Sequence, residues 1–151
     1  MVNYSDKPQL AQDLKESNDC FVRALAISAN ITYNEAHGIA EELFNRKPGE
    51  GTQLVESTIR SKTGRNYFNH RNLQLEDVNH TYIRRDKKVH ALNIRGFYNR
   101  YSKGTYLVLV NKHALAIVDG VIQDWEGAKK HIGRTVEAAF RVTNNRQITL
   151  F

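Results

Sequence analysis

An α+β domain is the fold class this sequence predicts, with helices first and an antiparallel sheet second. Three observations carry that expectation. The segment opening at Cys20 and running through Phe21, Val22, Ala24, Leu25, Ala26 and Ile27 is almost continuously apolar, as a helix buried in the centre of a domain would be. A capping signature at Thr32 opens a second segment with helical spacing. From Gly104 onward, runs rich in branched and aromatic residues alternate with tight-turn pairs, the pattern of hairpin-linked strands.

In order along the chain, Ser17, Asn18 and Asp19 are helix-capping residue types placed directly before Cys20, so the spacing predicts a helix whose first turn holds the thiol. Ile31-Thr32-Tyr33-Asn34-Glu35 is a capping box with Thr32 as N-cap and Glu35 three positions on. Its helix, through Ala36, Ile39, Ala40, Leu43 and Phe44, should end near Asn45, with His37 packed or solvated within it. Lys47-Pro48-Gly49-Glu50-Gly51 reads as a loop. Thr52 is then the expected cap of a third helix through Leu54, Val55 and Ile59, with Gly64 as its stop. From Arg65 to Lys103 the pattern is weak. Val78 and Val89-His90-Ala91-Leu92 are candidate short edge strands, and the loops around them are long. The aromatic residues of this stretch, Tyr67, Phe68, Tyr82, Phe97, Tyr98 and Tyr101, interleave with basic ones, which suits either a binding wall or core contacts for a loop-rich region.

Thr105–Val110 and His113–Val118 are strands by composition, joined by a short turn at Asn111-Lys112. Asp119-Gly120 is a two-residue hairpin signal leading into Val121–Trp125. Thr135–Val142 and Arg146–Leu150, joined at Asn144-Asn145, read as a last hairpin.

Length and composition set the bounds. The 151 residues, 40% hydrophobic with two prolines, fit one domain over 1–151 with a real core. No apolar run reaches membrane-spanning length, and the polar start, Met1 to Leu14, resembles neither a signal peptide nor an anchor. A single cysteine excludes an internal disulfide and a cysteine-rich zinc site, and suits a reducing, cytoplasmic compartment. The six histidines show no tight ligand spacing, so neither a metal nor another cofactor is expected. The net charge of +6 is uneven. Between Lys62 and Lys103 ten Lys/Arg stand against Glu76, Asp77 and Asp86, a net of +7 that leaves the remainder at −1. That basic stretch is either a solvated face or a surface for nucleic acid or an acidic protein.

A helix N-terminus favours a thiolate through its unpaired N–H groups and the macrodipole. A nucleophilic Cys20 needs a histidine and an orienting acid. The Asp119-Gly120 turn pairs Val118 with Val121, Ile117 with Ile122 and Leu115 with position 124. His113, Leu115, Ile122 and Asp124 then share a face, with Asp124 diagonal to His113. This is the carboxylate expected to fix the imidazole's tautomer. Glu126, directly opposite His113, is its rival, and Asp119 is expected to be structural.

The order Cys20 at a helix start, His113 opening an antiparallel strand and Asp124 on the next resembles papain-like cysteine peptidases. Asn18-Asp19-Cys20-Phe21-Val22-Arg23-Ala24-Leu25-Ala26, Thr32-Tyr33-Asn34-Glu35-Ala36, Arg46-Lys47-Pro48-Gly49-Glu50-Gly51-Thr52, Gly104-Thr105-Tyr106-Leu107-Val108 and His113–Gly120 are similar to segments of small papain-like proteins of bacteriophages. The resemblance covers both ends of the chain but not its basic middle. It implies a papain-like fold and cleavage of an amide or isopeptide bond of a protein or peptide, possible acidic substrates included, through an acyl-enzyme. Cys20 would be the nucleophile, His113 the general base and acid, and Asp124 the orienting group. The Cys20 N–H and a side-chain amide would form the oxyanion hole. The family usually carries glutamine six residues before the cysteine, where this chain has Leu14, so Asn18 is the nearest substitute and Gln12 the runner-up. The basic, aromatic middle would wall the cleft. The alternatives are acyl transfer to an amine at the same site, or a non-catalytic basic module.

Overall fold

A computed structural model describes residues 18–123 and 132–146 of the chain. The N-terminal half supplies four helices: α1 (Cys20–Ala29), α2 (Tyr33–Phe44), α3 (Val55–Arg60) and α4 (Lys62–His70). There follow β1 (Leu73–Asp77), a small hairpin of β2 (Thr81–Ile83) and β3 (Val89–Ala91), and a fifth helix, α5 (Ile94–Arg100). The remaining strands are β4 (Thr105–Val110), β5 (His113–Val118), β6 (Val121–Gln123) and β7 (Ala138–Asn144). Five strands form one antiparallel sheet in the order β1-β7-β4-β5-β6, and β2 and β3 pair separately. The architecture is therefore α+β. No described helix is long and apolar enough to cross a membrane.

The apolar strands read as continuous runs because the central sheet is covered on both faces. Leu107, Leu109, Ala114, Ala116, Val118 and Phe140 face α1 and α2. The alternate residues Tyr106, Val108, Leu115, Ile117 and Ala139 pack under Ile94 and Phe97 of α5. α1 is sealed between sheet and α2, with Val22, Leu25 and Ala26 fully buried.

The local signals at the ends of these elements mostly act as expected. Thr32 accepts a hydrogen bond from the Glu35 N–H at 3.1 Å, and Asn45 closes α2 in the left-handed region. The Glu35 carboxylate itself pairs with Arg146. Asp119 and Gly120 both take positive φ, as a type I′ hairpin turn requires, and Asp119 Oδ1 accepts from the Gly104 N–H. His37 is buried, with Nδ1 2.7 Å from Glu41.

Three expectations are corrected. Thr52 does not cap the third helix: Leu54 occupies the cap position at φ 53°, which delays the helical path to Val55. Gly64 does not end that helix either. Ser61 ends α3 and, in the same position, caps α4 by accepting from the Gly64 N–H. A Cβ at Gly64 would lie 1.9 Å from the Thr58 carbonyl oxygen, so glycine is there for close approach between consecutive helices. Replacing Gly64 by alanine should lower stability by about 2 kcal/mol, read as a fall in the urea midpoint at unchanged slope. The weak region is also more ordered than its pattern, holding α4, β1 and α5; Phe68 and Phe97 are core residues, and Tyr101 packs against the second apolar cluster. Among the described residues, β1 and β4 pair with the two edges of β7. Residues 147–151, where a hairpin partner for β7 was expected, lie outside the described residues.

Candidate active site

Cys20 is the first residue of α1, and His113 is the first residue of β5. α1 lies over the sheet face that carries Ala114, Ala116 and Val118, which brings its first turn to the start of β5. The Asn111-Lys112 turn pairs Val110 with His113. Leu109 turns its carbonyl outward to the Glu137 N–H at 2.8 Å. In an antiparallel ladder its partner Ala114 must then point its own N–H away from β4, where the Cys20 sulfur accepts it.

Two donors therefore meet the sulfur: the His113 side chain and the Ala114 N–H, each in a hydrogen bond. Burial acts first and pushes the thiol pKa up. The bond from His113, the Ala114 N–H, the His113 charge and the Arg23 charge act in the opposite sense and prevail. The net displacement is downward from the ordinary 9.0. The thiol is partly buried, neither sealed nor flush with solvent.

Asp19, at the helix cap position, does not cap α1 with its side chain. Asp19 is buried, 3% exposed, and its carboxylate is committed elsewhere. It accepts from the Tyr33 hydroxyl at 2.8 Å and lies 3.1 Å from Arg23 Nε. A cap residue one position before Cys20 thus ties α1 to α2 and anchors the cation that favours the thiolate. Asp19 served in the sequence only as a capping residue type. The signal for its other role was Arg23 four positions on in an otherwise apolar helix, the spacing of a helical ion pair.

The sulfur and imidazole open onto a cleft of about 1020 Å³. One wall is the first turn of α1, the Gly51–Leu54 loop and α3. The other is the β4–β5 turn and the approach to β7, with Lys112, His113 and Glu137. Leu54 stands 76% exposed at the rim, held at its left-handed φ. None of the cleft-lining residues comes from the Lys62–Lys103 stretch, so the expected basic wall is not there. The walls come from the loop after Pro48 and from α3 instead.

Asn18 also lines the cleft, exposed and at φ 55°. Its Nδ2 donates to the Gly49 carbonyl at 3.0 Å, which uses one of the amide's two N–H groups. The pairing Val118↔Val121, Ile117↔Ile122, Ala116↔Gln123 is the register from which Asp124 was read as the orienting acid. Asp124 itself, its rival Glu126 and the amide candidate Gln12 lie outside the described residues. Among the described residues, no group of three or more His, Cys, Asp or Glu is placed to hold a metal ion.

Such an arrangement can deprotonate a thiol, hold the resulting charge and admit an extended substrate along an open groove. No family model, curated protein or solved structure matches the chain.

Proposed function

We propose that this chain is a papain-like cysteine hydrolase that cleaves an amide or isopeptide bond. The observation that carries the reading is the Cys20–His113 hydrogen bond at the floor of the cleft, with the thiol displaced toward the thiolate.

The reaction proceeds in two halves. His113 takes the Cys20 proton, and the sulfur attacks the substrate carbonyl carbon, moving its electron pair onto the oxygen. The Cys20 N–H, at the first position of α1, has no acceptor within the helix and is available to that oxyanion. The second amide N–H of Asn18 is the proposed partner donor. The tetrahedral species collapses as the C–N bond breaks and His113 returns its proton to the leaving amine. Water then enters, loses a proton to His113 and attacks the thioester. The C–S bond breaks, the acid leaves and the thiol is restored. The Ala114 N–H and Arg23 stabilise the sulfur's charge before attack and again as it leaves. Asp124 is the proposed partner of the other imidazole nitrogen.

The test is covalent capture. A peptidyl epoxysuccinate added to the full chain at neutral pH should open its epoxide on Cys20 and add its mass once, on the peptide containing residue 20. Cys20→Ser should prevent the adduct and abolish hydrolysis of a fluorogenic peptide amide. Unmodified protein after prolonged exposure would contradict the proposal.

A further inference from the structure

The β2–β3 hairpin is not used by the cleft, yet its surface is unusual. β1 runs antiparallel to β7 and ends at Asp77, opposite Phe140. The chain therefore leaves the sheet at the end where β7 starts and β5 opens with His113. Past that point the hairpin presents Ile83, 74% exposed, directly opposite Val89, 66% exposed. Its tip is Arg84-Arg85-Asp86-Lys87-Lys88, all exposed. Among the described residues Arg84, Arg85, Lys87 and Lys88 make no ion pair, whereas Arg60, Arg71 and Arg146 are each engaged by an acid. Lys87 sits at φ 62°, a left-handed position that glycine normally fills.

Among the described residues, one edge of the hairpin is open. The Arg84 N–H bonds the Lys88 carbonyl at the tip and the Leu92 N–H bonds the His80 carbonyl at the root. By alternation, Tyr82 and His90 bond across the pair, and Val89 and Ala91 turn their N–H and C=O groups outward. Among the described residues, β3 has no other neighbour in its sheet. On the β2 side, the Thr81 carbonyl already accepts from Arg100 at 2.8 Å.

We infer that the outer edge of β3 is a docking site for an extended acidic polypeptide, added as a third strand with aliphatic side chains beside Ile83 and Val89 and carboxylates at the basic tip. These four exposed cations, in no ion pair among the described residues, call for an anionic partner. The aliphatic pair and the open backbone edge distinguish a polypeptide from nucleic acid, whose phosphates would use neither. Resting on the hydrolase reading, this surface would recruit acidic protein substrates beside the cleft.

The probe is a fluorescein-labelled peptide of alternating glutamate and valine, titrated by anisotropy against full-length Cys20→Ala protein so that binding is read without turnover. Saturable binding that weakens with salt is expected. Arg84→Ser/Arg85→Ser/Lys87→Ser/Lys88→Ser should weaken it about tenfold or more. Val89→Pro removes an outward N–H while sparing the ladder, and should weaken it by a similar factor. Both sets of changes, made in the Cys20-containing chain, should leave iodoacetamide reactivity unchanged, which separates failure of docking from failure of the nucleophile. Binding indifferent to Val89→Pro, no binding at low salt, or preferential binding of a single-stranded oligonucleotide or phosphatidylserine vesicles would overturn the inference.

Discussion

Replacing His113 by alanine should cut hydrolysis on the order of 10³-fold, the usual scale of a lost general base, and should slow alkylation of Cys20 at pH 7. The sign follows from what holds the thiol down. Burial, the largest influence, raises its pKa. The His113 hydrogen bond and the His113 charge both lower it and both disappear. Only the Ala114 N–H and the Arg23 charge remain against burial. The thiol should therefore titrate at higher pH than in the parent, and each unit of rise removes about tenfold of the thiolate at neutral pH. Unchanged alkylation and hydrolysis in a folded His113→Ala protein would remove the imidazole from the chemistry. Restoring a base without a ring at the same place, as in His113→Lys, should not recover hydrolysis, because the atom that must both take and return the proton is fixed by the strand.

The second large effect is on stability. Asp19→Ala should destabilise the fold by about 3 kcal/mol, since removal of one member of a buried pair leaves its partners desolvated and uncompensated. Those partners are the Tyr33 hydroxyl, in a residue 2% exposed, and the Arg23 guanidinium. Thermal unfolding should shift downward by roughly 6–12 °C for a chain of this size. Asp19→Asn keeps an acceptor for Tyr33 but loses the charge facing Arg23, and should cost about half as much. A loss under about 0.5 kcal/mol for Asp19→Ala, the range of an ordinary surface change, would show that the carboxylate does not join α1 to α2 as described.

The contrast between Asp19 and Thr32 explains how much could be read from the sequence. Thr32 acts through atoms three residues away, and its capping role was legible because the cause is local. Asp19 is of the same residue type class but acts across helices, so its partner Tyr33 could not be inferred from spacing. The hairpin parity around Asp119-Gly120 was legible because two strands and a turn determine it. The alternation in Leu73-Gln74-Leu75-Glu76 is equally regular, yet β1 pairs with β7, some seventy residues on, and short-range pattern carries no trace of such a partner. α5 was missed for a related reason. Its Asn93 cap accepts from the Gly96 N–H at 2.8 Å, but glycine in the first turn reads as a breaker. The Cys20–His113 pairing needed both a helix start and a strand start, each visible alone. The cleft wall at Leu54 depended on a left-handed backbone that leucine seldom adopts.

The most direct measurement is the pH dependence of iodoacetamide alkylation in the intact chain, where the single cysteine makes the signal unambiguous. A thiol shared with His113 and the Ala114 N–H should show its inflection below 9.0 and react faster at pH 7 than free cysteine does. An inflection at or above 9.0, unmoved by His113→Ala, would mean that burial governs the sulfur and that no activated nucleophile exists.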